Sequence, residues 1–297
     1  MFRIVFHKVF IIHDKLCRQG LFYFNVYGTG TTSIVYEDHY KYDKYQKGDL
    51  RMYTGNYECL ELFVKPDEGK KGSVLLKNVK ESTTETKELK HIYGNWIKFP
   101  VSRNTEYEIS TQDCTITFAY LSECENIMEN GICVLDTTDN YKEMNKEEFL
   151  HFIDTPYREQ YHFSPVVNWN NDPNGLCWFK GYYHLFYQMN PFGQEWNNMY
   201  WGHAASKDLV HWTHLPVVLE PQEEILDNLA IKGGAFSGSA LPMGDEVYFY
   251  LTRHIGPQDD GWETIQYQTM TKSSDMIHFE PEKEIIREKP EGTNYDF

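Results

Sequence analysis

Long apolar runs, basic clusters and closely paired cysteines are all missing from this chain of 297 residues. No stretch approaches the roughly 18 consecutive apolar residues read as a membrane-crossing helix. The apolar start is interrupted by Arg3, His7 and Lys8, is followed by Asp14 and Lys15, and has no small-residue cleavage pattern. It is expected to form a strand pair or an irregular start rather than a signal peptide, which implies a cytoplasmic location. Lysine and arginine number 28 against 44 aspartates and glutamates, for a formal charge of −16. Phosphate-backbone binding needs a basic footprint, so neither nucleic acid nor an anionic membrane is an expected partner, whereas a neutral ligand is compatible. The six cysteines, Cys17, Cys59, Cys114, Cys124, Cys133 and Cys177, include no CxxC pair. That excludes both a disulfide framework and a zinc pattern and predicts reduced thiols. His203, His211 and His278 fit no metal-ligand spacing, and Gly28 and Gly30 complete no phosphate-binding motif. No metal and no cofactor is expected.

Aromatic residues, in contrast, are plentiful at 16%, with 22 Tyr and 18 Phe. Such a composition suits β-structure, core packing and sugar stacking alike. The fold class expected is all-β. Residues 1–137 read as a β-rich, sandwich-like domain of short alternating strands, for example at 21–27, 59–64, 73–76 and 114–120, with a mobile loop or solvated edge at 77–90. Residues 138–160 read as a linker holding a short helix at 145–153 with Asn145 as N-cap. From residue 161 the chain repeats itself. Ser206-Lys-Asp-Leu-Val-His-Trp212 matches Ser273-Ser-Asp-Met-Ile-His-Phe279, and a strand, tight turn, strand pattern precedes each copy, with turns at Lys180-Gly181 and Gly244-Asp245. A period of about 65 residues has room for four short strands, the signature of a β-propeller blade. Residues 161–297 are therefore expected to hold about two blades. Two blades close no propeller, so either the chain is a fragment or the propeller reading fails.

The segment densest in reactive groups is Asn168-Trp-Asn-Asn-Asp-Pro-Asn-Gly175. Pro173 restricts φ and Gly175 frees it, which predicts a sharp turn aiming Asp172 at a central cavity. Asn171 and Asn174 can bond to sugar hydroxyls. Trp169-Asn-Asn-Asp-Pro-Asn-Gly175 resembles the Trp-x-Asn-Asp-Pro-Asn-Gly hallmark of glycoside hydrolase family 32, the family of invertases, levanases and inulinases. Gln160-Tyr-His-Phe163, Tyr183-His-Leu-Phe-Tyr-Gln188, Trp201-Gly-His-Ala204 and Phe236-Ser-Gly-Ser-Ala240 are similar to further family signatures, in the family's order.

The resemblance implies a five-bladed propeller and retaining hydrolysis of terminal β-D-fructofuranosyl bonds. Asp172 would be the nucleophile that forms a covalent fructosyl-enzyme. It must be ionised to attack, so hydrogen bonds to its carboxylate are expected. A second carboxyl group, roughly 5 Å away in retaining sites, would protonate the leaving oxygen and then activate water. By the same resemblance Asn171 and Gln188 bind the fructosyl ring, Trp196 forms an aromatic wall, and Phe236 and Ser237 are pocket contacts. The substrate could be sucrose, a phosphorylated sucrose, inulin or levan.

Two departures matter. Asn170 stands where the family has an apolar residue. The family's Arg-Asp-Pro and later Glu-Cys hallmarks do not occur after residue 240, and Glu123-Cys124 lies upstream of the nucleophile. The 297 residues are therefore expected to be an incomplete enzyme without its acid/base, and inactive alone. A fructosyltransferase, or a non-catalytic fructan-binding pseudoenzyme, is the alternative. Residues 1–137 resemble no family, and their role is open.

Overall fold

The computed structural model describes residues 50–123, 125–135, 137, 158, 162–257 and 264–287. The strand expected at 21–27, the helix at 145–153 and most of the linker lie outside them. The described residues fall within one compact unit, 47–297. Among them no helix is long and apolar enough to cross a membrane.

Among the described residues the fold consists of four antiparallel sheets of four strands. The first sheet holds β1 (Leu50–Tyr53), β3 (Ser73–Asn78), β4 (Thr84–Glu88) and β6 (Glu106–Gln112), in the order β1-β6-β3-β4. The second holds β2 (Cys59–Pro66), β5 (Asn95–Pro100), β7 (Cys114–Ser122) and β8 (Cys133–Val134), in the order β5-β2-β7-β8. In β3 buried and half-buried residues alternate strictly, placing Val74 and Leu76 in the core and Ser73, Leu75 and Lys77 on the other face. Val74, Leu76 and Ile109 of the first sheet meet Leu60, Leu62, Phe99 and Leu121 of the second in one hydrophobic core. This is the expected sandwich. Strand β4 is its exposed edge, so the charged stretch 77–90 is partly a strand, with Lys77 itself ending in the ladder of β3.

β2 and the end of β7 are buried on both faces. One face feeds the sandwich core. The other, with Phe63, Phe118 and Tyr120, packs against Leu185, Tyr187, Met189, Phe192 and Tyr200. Phe63 stacks on Phe118 at 5.6 Å between centroids and meets Tyr200 edge-on at 5.7 Å. Tyr120 donates its hydroxyl hydrogen to the buried carboxylate of Glu61 at 2.9 Å and accepts from Val217 N at 3.1 Å.

The third sheet is a meander of β9 (Trp169–Phe179), β10 (Tyr182–Asn190), β11 (Tyr200–Ser206) and β12 (Trp212–Leu219). The fourth is a meander of β13 (Ile231–Met243), β14 (Glu246–Pro257), β15 (Ile265–Ser273) and β16 (Lys283–Ile286). Both predicted hairpins form, joining β9 to β10 and β13 to β14. The two Ser-x-Asp-x-x-His copies adopt the same corner after β11 and after β15. Asp208 Oδ1 accepts from Val210 N and His211 N at 2.9 and 2.8 Å, and Asp275 Oδ1 from Ile277 N and His278 N at 2.9 and 2.7 Å. His211 and His278 each bond through Nδ1 to the second oxygen of their Asp at 2.7 Å.

These two sheets have the strand number and meander order of propeller blades, and they pack together through Phe186, Trp201, Val247, Phe249 and Leu251. Strand β10 lies between this core and the sandwich, so His184 through Asn190 are all buried. Alternation along it sends Leu185, Tyr187 and Met189 toward the sandwich and Phe186 toward the second blade. Gln188 shares the Phe186 face.

Candidate active site

The segment 169–175 is not the sharp turn that Pro173 and Gly175 suggest. It is the first half of β9, and it departs from regular pairing twice. Between the pairs Asn170↔Met189 and Pro173↔Tyr187, three steps of β9 oppose two of β10; the same happens between Asn174↔Phe186 and Cys177↔His184. Each shift is a bulge carrying one extra residue. The first holds Asn171 and Asp172, the second Gly175 and Leu176. Gly175 takes φ +54°, and a Cβ there would lie 2.8 Å from the Phe186 ring. Pro173 suits a bulged, edge-located strand because it has no N–H to donate. A bulge turns side chains off the regular alternation. Asn171 and Asp172 are exposed together, while Asn174, expected as a sugar contact, is 1% exposed and accepts from Gly238 N at 3.4 Å.

Strand β13 bulges in the same way. Between Ala235↔Arg253 and Gly238↔Leu251, three steps oppose two, and the extra residue falls at Phe236–Ser237. The two bulges meet. Ser237 Oγ donates to Asp172 Oδ2 at 2.6 Å, and Gln188 Nε2 donates to Ser237 Oγ at 3.1 Å. Gln188 is only 3% exposed, so its amide is fixed behind the serine. Next to them Trp196 meets Phe236 edge-on at 6.5 Å, and Phe236 stacks on His254 at 4.3 Å with the rings 7° from parallel. Lys232 Nζ lies 5.7 Å from the Trp196 ring centroid.

Of the six expected site residues, Asp172, Gln188 and Ser237 therefore form one hydrogen-bonded chain, and Trp196 and Phe236 one aromatic pair joined to it through the 236–237 peptide. Asn171 lies beside Asp172 on the exposed bulge. One positioning residue was not assigned a role from sequence: Trp201, fully buried, donates Nε1–H to Ala235 O at 3.2 Å and Phe236 O at 3.0 Å. It thereby holds the β13 bulge by its backbone. The only sign of this in the sequence is its place in the Trp-Gly-His-Ala string.

Glu123, the residue of the upstream Glu-Cys pair, is half-buried at the end of β7 in the sandwich and accepts from Asn130 Nδ2. An apolar recess lined by Phe118, Val167, Tyr187 and Val217 lies at the junction of sandwich and first blade; its lining has no carboxylate, which makes it a packing gap rather than a reaction site. Among the described residues no group of three His, Cys, Asp or Glu side chains could hold a metal ion.

A carboxylate on a bulged edge strand, with a hydroxyl and an amide behind it and an aromatic pair beside it, stands where the two blade-like sheets meet. Residues 162–297 match the glycosyl hydrolases family 32 N-terminal domain, and this part of the chain belongs to that family. A sucrose-6-phosphate hydrolase of Zymomonas mobilis is 38% identical over 150 residues, covering 50% of this chain and 28% of that protein. A levanase of Bacillus subtilis is 56% identical over 90 residues, covering 30% of this chain and 12% of that one. A glycoside hydrolase family 32 structure from Bifidobacterium adolescentis superposes with a TM-score of 0.75 at 32% identity, covering 82% of this chain and 40% of that one. Coverage that wide takes in the sandwich as well as the two blades. The chain spans well under half of each of these relatives.

Proposed function

We propose that the protein cleaves terminal β-D-fructofuranosyl bonds of sucrose or a fructan by retaining double displacement, with Asp172 as nucleophile. The observation that carries this reading is the Gln188–Ser237–Asp172 chain, in which two strands of different sheets converge on one carboxylate. Asp172 Oδ attacks the anomeric carbon, the bond from that carbon to the leaving oxygen breaks, and the leaving oxygen takes a proton from a general acid. Water, deprotonated by the same group, then releases fructose. Ser237 orients the nucleophile by donating to one carboxylate oxygen and leaving the other for attack. Asn171 bonds to ring hydroxyls, Gln188 holds Ser237 from behind, and Trp196 and Phe236 wall the pocket.

The general acid is assigned to no residue of this chain, since no Glu-Cys pair follows residue 124. General acid–base assistance contributes about 10²–10⁴ in rate, so the 297 residues alone are expected to release no measurable fructose. Robust hydrolysis of sucrose or levan by the purified chain would refute that assignment. In the protein as its gene encodes it, Asp172→Asn is expected to abolish turnover with the melting temperature unchanged. Kinetics equal to wild type would remove Asp172 from the mechanism. Chromatography of the products separates hydrolysis, which gives free fructose, from transfer, which gives longer oligosaccharides.

A further inference from the structure

Trp196 sits on the exposed crest of a loop, 191–198, whose two ends are buried. An aromatic wall on a loop loses freedom when it closes on a ligand, so a wall fixed beforehand binds more tightly. Much of the fixing here comes from the sandwich. The Tyr93 hydroxyl donates to Asn190 Oδ1 at 3.2 Å, at the start of the loop. Asn190 relays this inward: its Oδ1 accepts from Phe192 N at 3.0 Å, and its Nδ2 donates to Glu195 O at 3.0 Å, one residue before Trp196. Thr117 Oγ1 lies 2.9 Å from Pro191 O and 3.0 Å from Phe63 O, between which its hydrogen is shared. The Phe192 ring is held edge-on by Tyr93 at 5.5 Å and by Phe63 at 6.0 Å. Gly94 lies directly against it, and a Cβ at that position would come within 2.5 Å of Phe192 Cζ.

The same turn of the sandwich reaches the second blade. Tyr93 N donates to Leu226 O at 2.9 Å, in the one-turn helix α2 (Glu223–Leu226) that leads into β13 and Phe236; an earlier one-turn helix, α1 (Ile127–Asn130), lies in the sandwich segment before β8. Asn198 Oδ1 accepts from Gly233 N at 3.1 Å, closing the circuit between the Trp196 loop and β13. The turn therefore joins the loop that carries Trp196 to the strand that carries Phe236.

We propose that the sandwich is a positioning element of the fructoside pocket, and that Tyr93 is the residue through which it sets Trp196. The inference rests on Trp196 being a pocket wall, as read above. It gives residues before the blades a role in substrate binding with no sugar contact of their own.

Tyr93→Phe keeps the ring against Phe192 and removes only the hydroxyl. On the 297-residue chain, hydrogen exchange followed by mass spectrometry is expected to speed up roughly tenfold at the amides of 190–198 and to stay at the wild-type rate in β11 and β12. Unchanged exchange at 190–198 overturns the proposal. This measurement needs no substrate, so it judges the clamp even if Asp172→Asn shows the functional reading to be wrong. In the protein as its gene encodes it, KM for sucrose or levan is expected to rise roughly three- to tenfold, with kcat within about twofold of wild type. Added to Trp196→Ala, Tyr93→Phe should change KM by less than about twofold, because its effect passes through the missing indole. Full additivity, or an unaltered KM in the single variant, overturns it. If Tyr93→Phe does not fold, Thr117→Val removes the Pro191 contact at nearly constant volume and is read in the same way.

Discussion

Ser237 Oγ donates to Asp172 Oδ2 at 2.6 Å, although the two residues are 65 positions apart and belong to different sheets. Both lie in bulges, one on β9 and one on β13.

Ser237→Ala is expected to lower kcat/KM for a fructoside by about tenfold, since a hydrogen bond to a charged group is worth roughly 1.5–3 kcal/mol and water replaces part of it at an exposed carboxylate. Ser237→Thr, which keeps the hydroxyl, should lose less. Steady-state kinetics on sucrose and levan decide the matter, and equal kcat/KM for Ser237→Ala and wild type would show that the bond plays no part.

Phe63 is fully buried where the sandwich meets the first blade, in ring contact with Trp96, Phe118, Tyr120, Phe192 and Tyr200. Phe63→Ala should cost roughly 3–5 kcal/mol. The cavity it leaves lies between the two bodies, so the single calorimetric transition expected of wild type should split into two. Val74→Ala, whose cavity lies inside the sandwich core, should lower the transition without splitting it.

His184 and His203 form a buried neutral pair. His184 Nε2 faces Phe179 O at 3.4 Å, so its Nδ1 accepts from His203 Nε2 at 3.0 Å, and His203 Nδ1 has no bonded partner among the described residues. Burial pushes the His184 pKa down to about 4, and burial together with the neighbouring His184 lowers that of His203. Between about pH 6.5 and pH 4 the unfolded chain therefore binds more protons than the folded one. Stability is complete above pH 6.5 and falls as the pH drops through that window, by about 3 kcal/mol for His184. Urea unfolding at pH 7 and at pH 5 measures the drop, and His184→Asn should reduce the difference between them.

Asp208 and Asp275 hold their corners with equivalent bonds, so Asp208→Ala and Asp275→Ala should both lower the melting temperature. The Asn variants, which keep an acceptor for the backbone N–H groups, should lower it less. A corner whose Asn variant melts as early as its Ala variant would point to the Asp–His contact as the stabilising element instead.

The parts of this fold legible in the residues were those governed by local periodicity. Residues 59–64, 73–76 and 114–120 form strands as read, with one face of 73–76 in the sandwich core and both faces of 60–64 and of the end of β7 buried. The Lys180-Gly181 and Gly244-Asp245 pairs gave hairpins because φ is positive at Lys180, Gly181 and Gly244. The motif strings named the family and picked five residues that the fold gathers into one site. The turn expected at 168–175 was misread because Pro173 and Gly175 are compatible with a tight turn and with a bulged strand. Asn174 was misplaced with it, since one extra residue in a strand sends a side chain to the opposite face. Tyr93 acts through a distant asparagine side chain and carries no local mark, and Trp201 acts through distant backbone with only its place in the Trp-Gly-His-Ala string to show it.

By itself the sequence determined the all-β composition, the repeated blade corner, the family of residues 162–297 and the motif that singles out Asp172. The tertiary structure decided that Asp172 and Ser237 share a hydrogen bond, that Gln188 is buried behind them, and that the sandwich clamps the loop of Trp196. The physical reason is that a bulge is a property of the register between two strands. Its direction is set by the partner strand and the packing beneath, which no single segment encodes.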